Sequence, residues 1–230
     1  MILSLPEGNI PVALIRRARQ SIGIRVRGGR VELIAHPAVP MSMLQAVLDK
    51  RRDWIRQHWL EQQRRCAELA AQPRQLRLAG EPLDIVHVAG QRPAARIDGR
   101  ILQVAGIAAH DRERLDATVA AWLKREAARR FPSRLAEVAR YSRRQPASLS
   151  LSSARTRWGS CSASGAIRLN WRLVQAPPHI LDYVLAHELA HLVHMNHSAA
   201  FWSETERLFP HWRTARQWLK QHGDTLFAFG

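Results

Sequence analysis

The stretch from Leu181 to Trp202, LDYVLAHELAHLVHMNHSAAFW, constrains this chain more than any other. Leu181, Val184, Leu185, Leu189 and Leu192 recur at spacings of three and four, which predicts a helix with one face in a core. His187 and His191 stand four apart on that helix, so their imidazoles project from one side, with Glu188 next to the first. His-Glu-x-x-His is the spacing at which two histidines share a zinc ion and a carboxylate reaches an activated water. Asp182, near the helix start, suits the positive end of the helix dipole. Tyr183 lies one turn before His187 and therefore close to the same face.

The third ligand follows from reach. His194 shares the helical face, but seven residues of helix span about 10.5 Å, too far for His187 and His194 to meet on one ion. His194 is therefore expected to face substrate or to support the ligands. His197 follows Asn196, a residue that tolerates the left-handed conformation at a helix end, and there the chain can fold back toward the metal. A carboxylate from Glu204 or Glu206 on the next helix is the alternative, since two histidines and a glutamate also make a catalytic zinc site.

The segment His187-Glu188-Leu189-Ala190-His191, followed by Asn196-His197-Ser198 and Phe201-Trp202, resembles the signature of the YgjP-like metallopeptidase family. Upstream, Arg157-Trp158-Gly159-Ser160-Cys161, with Gly165, Ile167 and the run Leu169-Asn170-Trp171-Arg172-Leu173, is similar to that family's second block. The resemblance is strongest from Leu149 to Leu219 and extends to SprT-like zinc proteases. It implies His187, His191 and His197 as zinc ligands and Glu188 as catalytic base, and it implies no particular substrate. The histidine spacing also equals that of the metzincin signature, in which a glycine stands where this chain has His194.

Composition narrows the class further. With 230 residues and 46% apolar content, the chain is long and apolar enough for a sizeable core. Lysine and arginine number 35 against 19 acidic residues, a formal charge of +16, which favours an acidic partner such as DNA, another polyanion or an acidic protein. Cys66 and Cys161 are too few for a disulfide scaffold. Met1 to Pro11 lacks the pattern of a secretory signal, and no apolar run approaches a membrane span. A cytoplasmic protein with no membrane partner is expected.

In chain order, Ile10 to Arg19 and Ile22 to Arg27 read as strands, and Gly28-Gly29 turns the second into Arg30 to Ala35. Met43 to Glu68 predicts one long amphipathic helix or two joined near the middle, with Lys50, Arg51, Arg52, Arg56, Arg64 and Arg65 along it. These form either a solvated face or a phosphate-contacting stripe, and Trp54 and Trp59 are expected to pack between elements. Short strands follow from Gln75 to Val104, then a helix over Asp111 to Tyr141 that Pro132 is expected to break. A strand near Ser148 to Ser152 precedes a turn at Ser162 to Gly165 and a strand around Ile167 and Leu169, whose open edge is expected to receive an extended peptide. Cys161 is expected to pack as a small apolar group.

These readings give an α+β protein: an N-terminal hairpin and helix region over residues 1–145, then a zincin-like catalytic domain with its HExxH helix over 146–230. The expected activity is peptide-bond hydrolysis of a polypeptide by a zinc-activated water. Glu188 is the general base, and Arg157, Tyr183 or His194 stabilises the oxyanion. A basic nucleic-acid-associated module with a mainly structural zinc, or a zinc amidohydrolase for a non-peptide amide, are the alternatives.

Overall fold

The computed structural model describes every residue except Gly28, Gln72 and Pro73; the side chains of Arg27, Arg65, Cys66, Leu69 and Ala70 also lie outside the description. The expectations for Gly28 in the hairpin turn, for Arg65 in the basic stripe and for the Cys66 thiol therefore fall outside the described residues. The chain divides into two compact units, Met1–Pro73 and Arg74–Gly230.

In the first unit, β1 (Ile2–Leu5), β2 (Gly8–Arg16), β3 (Gly23–Arg27) and β4 (Arg30–Ala35) form one sheet in the order β1-β2-β4-β3. The β2/β4 pair is parallel and the other two pairs are antiparallel. Alternation puts Leu3, Leu5, Ile10, Val12, Val31 and Leu33 on one face, where they are buried against Leu44, Leu48 and Ile55. Those three belong to α1 (Met41–Lys50) and α2 (Arg52–Ala71), which are separate helices because Arg51 leaves helical geometry at φ −108° and ψ 12°. Trp59 packs on this core and donates from Nε1 to the Gly29 carbonyl at 2.9 Å. Trp54 instead stays exposed and stacks on His58. Part of the basic stripe is neutralised locally: Arg52 pairs with Asp49 and Arg56 with Glu7.

The second unit begins with β5 (Leu76–Leu78), β6 (Glu81–Val88), β7 (Ala94–Asp98) and β8 (Ile101–Ala105), in the order β5-β6-β8-β7. Next comes α3 (Arg112–Ala139), capped by Asp111, whose side chain accepts from the Arg114 N–H. Its stripe Val119, Leu123, Ala127, Phe131 and Leu135 repeats every four residues and is buried throughout. The helix runs through Pro132 without the expected break. Burial of Phe131 and Leu135 on either side holds the turn that the missing N–H weakens.

A second sheet holds β9 (Ser148–Ser152), β10 (Gly159–Cys161) and β11 (Ala166–Asn170) in the order β10-β11-β9. The unit is completed by a 3-10 turn at Trp171–Gln175, α4 (Pro178–His191), α5 (Ala199–Leu208), α6 (Trp212–His222) and a second 3-10 turn at Gly223–Phe227. The expected open edge on the Ile167–Leu169 strand is absent, because β9 pairs with β11 in parallel on the side away from β10. The edge strand beside α4 is β10.

One buried cluster joins Leu102 and Val104 of β8, the α3 stripe, Ile167 and Leu169 of β11, and Val184, Leu185 and Leu189 of α4. That shared core is why the division falls after residue 73 and not at the expected 145/146: α3 and the β5–β8 sheet close the same interior as the HExxH helix. Among the described residues, no helix is long and apolar enough to cross a membrane.

A fragment starting at Arg74 is expected to unfold in a single cooperative thermal transition. One starting at residue 146 loses the α3 stripe, each large member of which contributes about 2–5 kcal/mol, and is expected to show no cooperative transition by circular dichroism. A folded 146–230 fragment would refute the shared-core account.

Candidate metal centre

Helix α4 starts at Pro178, where a proline costs no intrahelical hydrogen bond, and ends at His191. The sequence pattern continues further, but the backbone tightens: Leu192 N–H donates to Leu189 and Val193 N–H to Ala190. The chain then turns, and His194 leaves the helical face on which it was expected. Its carbonyl oxygen sits 3.1 Å from His191 Nδ1. A proton on that Nδ1 donates to the carbonyl and leaves Nε2 unprotonated, the tautomer a ligand needs. The His194 ring is within electrostatic reach of Glu204 and does not line the cavity described below.

The turn brings His197 back over α4. His197 Nε2 lies 3.2 Å from His187 Nε2, and the ligand atoms of His187, His191 and His197 all lie within 4.8 Å of one another. Two nitrogens bound tetrahedrally to zinc at about 2.0–2.1 Å are about 3.3 Å apart, so the closest pair already has ligand spacing. Phe201, fully buried on α5, holds the three rings from beneath, with centroid distances of 4.9, 4.5 and 4.7 Å to His187, His191 and His197. Ser198 caps α5 by accepting from the Phe201 N–H, which fixes the loop carrying His197. Trp202 stacks on the outer face of His197.

The alternative carboxylates are engaged elsewhere. Glu204 is held by Arg207 and Arg143, and Glu206 by Arg213. The candidate metal group is therefore made of three imidazoles, ligands that suit zinc.

Electrostatics favour ligation. Burial, then the neighbouring His191, His197 and Arg216, push the His187 imidazole down to about 3. Burial also lowers His191. The His187 ring is therefore neutral at pH 7, as a metal ligand must be, and His191 is shifted in the same direction. Glu188 is only 3% exposed, and its Oε2 is buried without a hydrogen-bond partner among the described residues. Burial pushes its carboxyl up to about 8, against the pull of the Arg157 charge. A buried carboxyl group with an unpartnered oxygen, next in sequence to one of three converging imidazoles, fits a dication and the solvent it brings.

The Glu188 side chain lies directly on the backbone of β10. A Cβ on Gly159 would stand 2.3 Å from Glu188 Oε1, so only glycine admits the carboxylate there. Beside it opens a cavity of about 330 Å³, lined by Arg157, Trp158, Tyr183, His187, Glu188 and Arg216 among others. Of the three expected oxyanion donors, Arg157 and Tyr183 thus share the cavity with Glu188, and His194 does not. The Arg157 loop is set by Asn170, whose Nδ2 donates to the carbonyls of Ala154 and Arg157 and whose Oδ1 accepts from Arg172 N–H.

Sequence reasoning singled out neither Gly159 nor Arg216 for the site. The glycine in Trp158-Gly159-Ser160 was the only available signal for the first, and Arg216 on α6 has none, because only the packing of α6 on α4 brings it near.

No curated protein and no solved structure gives a significant match to the chain. A family model does: the YgjP-like metallopeptidase domain matches residues 20–222. With that match covering most of its length and a His187-Glu188-x-x-His191…His197 group assembled on α4 and the loop after it, the chain belongs to the YgjP-like metallopeptidase family.

Proposed function

We propose that this chain hydrolyses peptide bonds in polypeptides, with zinc held by His187, His191 and His197. The observation that carries the reading is the convergence of three imidazoles on one point, with His187 and the buried Glu188 both lining a cavity beside the edge strand β10. Zinc, when bound, supplies Lewis acidity toward water and a carbonyl group. Glu188 acts as general base: its carboxylate takes a proton from the attacking water and returns it to the leaving amine. Burial raises the proton affinity of this carboxyl in the metal-free chain, and the charge of a bound dication would lower it toward the ionised form that accepts a proton.

Tyr183 is the donor for the developing oxyanion. Its ring stands edge-on to His187, 6.1 Å between centroids, and it lines the cavity shared with Glu188. The substrate backbone lies extended along β10, the edge strand whose Gly159 touches Glu188, and pairs with its free N–H and C=O groups. This strand edge favours a polypeptide over a small non-peptide amide. A buried carboxyl that shares a cavity wall with the ligand His187 favours a catalytic over a structural ion. The free Cys161 thiol suits a reducing compartment, and we place the reaction in the cytoplasm.

Replacing Glu188 with Gln is expected to lower turnover of an unfolded protein substrate by about 10²–10⁴-fold while zinc stays near one per chain by atomic absorption. Replacing His197 with Ala is expected to weaken zinc binding beyond the roughly 10–100-fold typical of an outer-shell change. Full zinc retention in the His197 variant, or turnover by Glu188→Gln, would overturn the assignments. Tyr183→Phe is expected to lower kcat by about 10²-fold with KM little changed, the pattern of a lost oxyanion donor. A rise in KM alone would make Tyr183 a binding residue.

The raised Glu188 pKa also predicts a stability signature in chelator-treated protein. The unfolded chain releases that proton near its ordinary value of 4.5, whereas the folded chain keeps it to about 8. Between these values the folded state binds more protons, so stability falls as pH rises, by at most about 1.4 kcal/mol per pH unit. The melting-temperature advantage of Glu188→Gln over wild type should therefore grow from pH 4.5 to pH 8. A difference independent of pH would show that Glu188 ionises normally.

A further inference from the structure

Two arginines at the site have no part in the hydrolysis just described. Arg157, in the loop before β10, and Arg216, on α6, both line the cavity beside Glu188, with Trp158 and Tyr183 also in its wall. Several arginines elsewhere around α4 to α6 are matched to carboxylates: Arg134 to Asp182, Arg207 to Glu204, Arg213 to Glu206. Neither cavity guanidinium has a hydrogen-bond or ion-pair partner for its side chain among the described residues. Their only charged company in the cavity wall, apart from the cationic Lys220, is Glu188, which is buried.

Arg216 is also positioned in advance. Its guanidinium carbon lies 5.3 Å from the centroid of the Trp202 ring, and Trp202 stacks on Trp212 at 4.3 Å. A planar cation on an aromatic shelf keeps its N–H edge free for a planar anion, and less rotamer freedom is lost when one binds. The cavity volume, about 330 Å³, is at the small end of the range for ligand pockets and suits one side chain.

We propose that this cavity is a specificity subsite for a carboxylate of the substrate peptide next to the scissile bond, held between Arg216 and Arg157. The inference rests on the peptidase reading for its substrate and adds to it which peptides are preferred. The carboxylate has two sources with the same chemistry, an aspartate or glutamate side chain or a free C-terminus. Both accept paired N–H donors from a guanidinium, and a glutamine in the same position keeps the shape and loses the charge.

The test uses full-length, zinc-loaded Glu188→Gln protein and short alanine-rich peptides, read by fluorescence anisotropy. End-blocked peptides carry one central Glu, Gln or Lys, and a fourth carries Gln with a free C-terminal carboxylate. The Glu peptide is expected to bind about tenfold more tightly than the Gln peptide, and the Lys peptide more weakly than either. A gain confined to the free-C-terminus peptide would assign the carboxylate to the chain end. Adding Arg216→Gln, an exposed substitution, should bring the Glu and Gln affinities within about twofold while zinc content and melting temperature hold.

Equal or undetectable binding of all four peptides, or a preference that survives Arg216→Gln, overturns the subsite. Cleavage by the protein with Glu188 intact, followed by mass spectrometry, separates the two readings. Selective binding without cleavage removes the hydrolase and keeps the subsite, and cleavage without selectivity does the reverse.

Discussion

Helix α4 is buried on nearly every side, and the second unit is arranged around the polar groups that this helix takes inside. Ten of its fourteen residues are buried, Asp182 and Glu188 among them. A polar group in that position is costly unless a neighbour answers it. Asp182 is answered by Arg134 of α3, through Nε to Oδ1 at 2.5 Å and Nη2 to Oδ2 at 2.6 Å. This forked pair fixes α3 against α4 and raises the affinity of the Arg134 guanidinium for its proton. His191 is answered by the carbonyl of His194. Glu188 Oε2 has no such answer from the described residues, and its side chain shares a cavity wall with the candidate ligand His187. The contrast separates structural from chemical polarity on one helix.

Close approach of β10 to α4 is the second requirement. Gly159 lets the strand lie on the Glu188 carboxylate, and the strand is in turn held by β11 at Gly159↔Leu169 and Cys161↔Ile167. Asn170 ends β11 and anchors the 154–157 loop through its side-chain amide while its own N–H donates to Trp158. One buried asparagine therefore sets the edge strand and the Arg157 loop together. Cys161 lies on the same strand, its thiol pushed up by burial and by the nearby Glu188, and behaves as a small packing group.

How much of this was legible in the sequence depends on the range of the interaction. The histidine spacing, the Ser198 cap, the Ser162–Gly165 turn and the β3/β4 hairpin are local, and each is encoded within about ten residues. The end of α4 was misplaced by three residues or more because Leu192 continues the apolar pattern, and only the His191–His194 contact shows why the backbone tightens there. Pro132 reads as a break in isolation; the core that holds the turn comes from β8, β11 and α4, none of them near it in sequence. Likewise β9 adds to β11 in parallel, a pairing that no local pattern announces, and it closes the edge expected to take substrate. Arg216 reaches the cavity through helix packing alone.

Net charge illustrates the same limit. An excess of sixteen positive charges reads as a polyanion binder, yet several of the arginines on its basic helices are committed to local partners. On α2, Arg52 and Arg56 hold Asp49 and Glu7, and on α3, Arg129 and Arg130 share Glu126. Charges paired in this way still contribute to the long-range field but present few free donors to a phosphate backbone. The field acts over about a Debye length of 8–10 Å at moderate salt and draws acidic chains toward the molecule without choosing among them. Choice requires contact at a defined place. Among the arginines near α4, Arg157 and Arg216 both face the cavity beside Glu188 and have no carboxylate partner among the described residues. The proposed selection of a carboxylate is therefore a property of two side chains and their aromatic setting, and the bulk charge adds only to the rate at which substrates arrive.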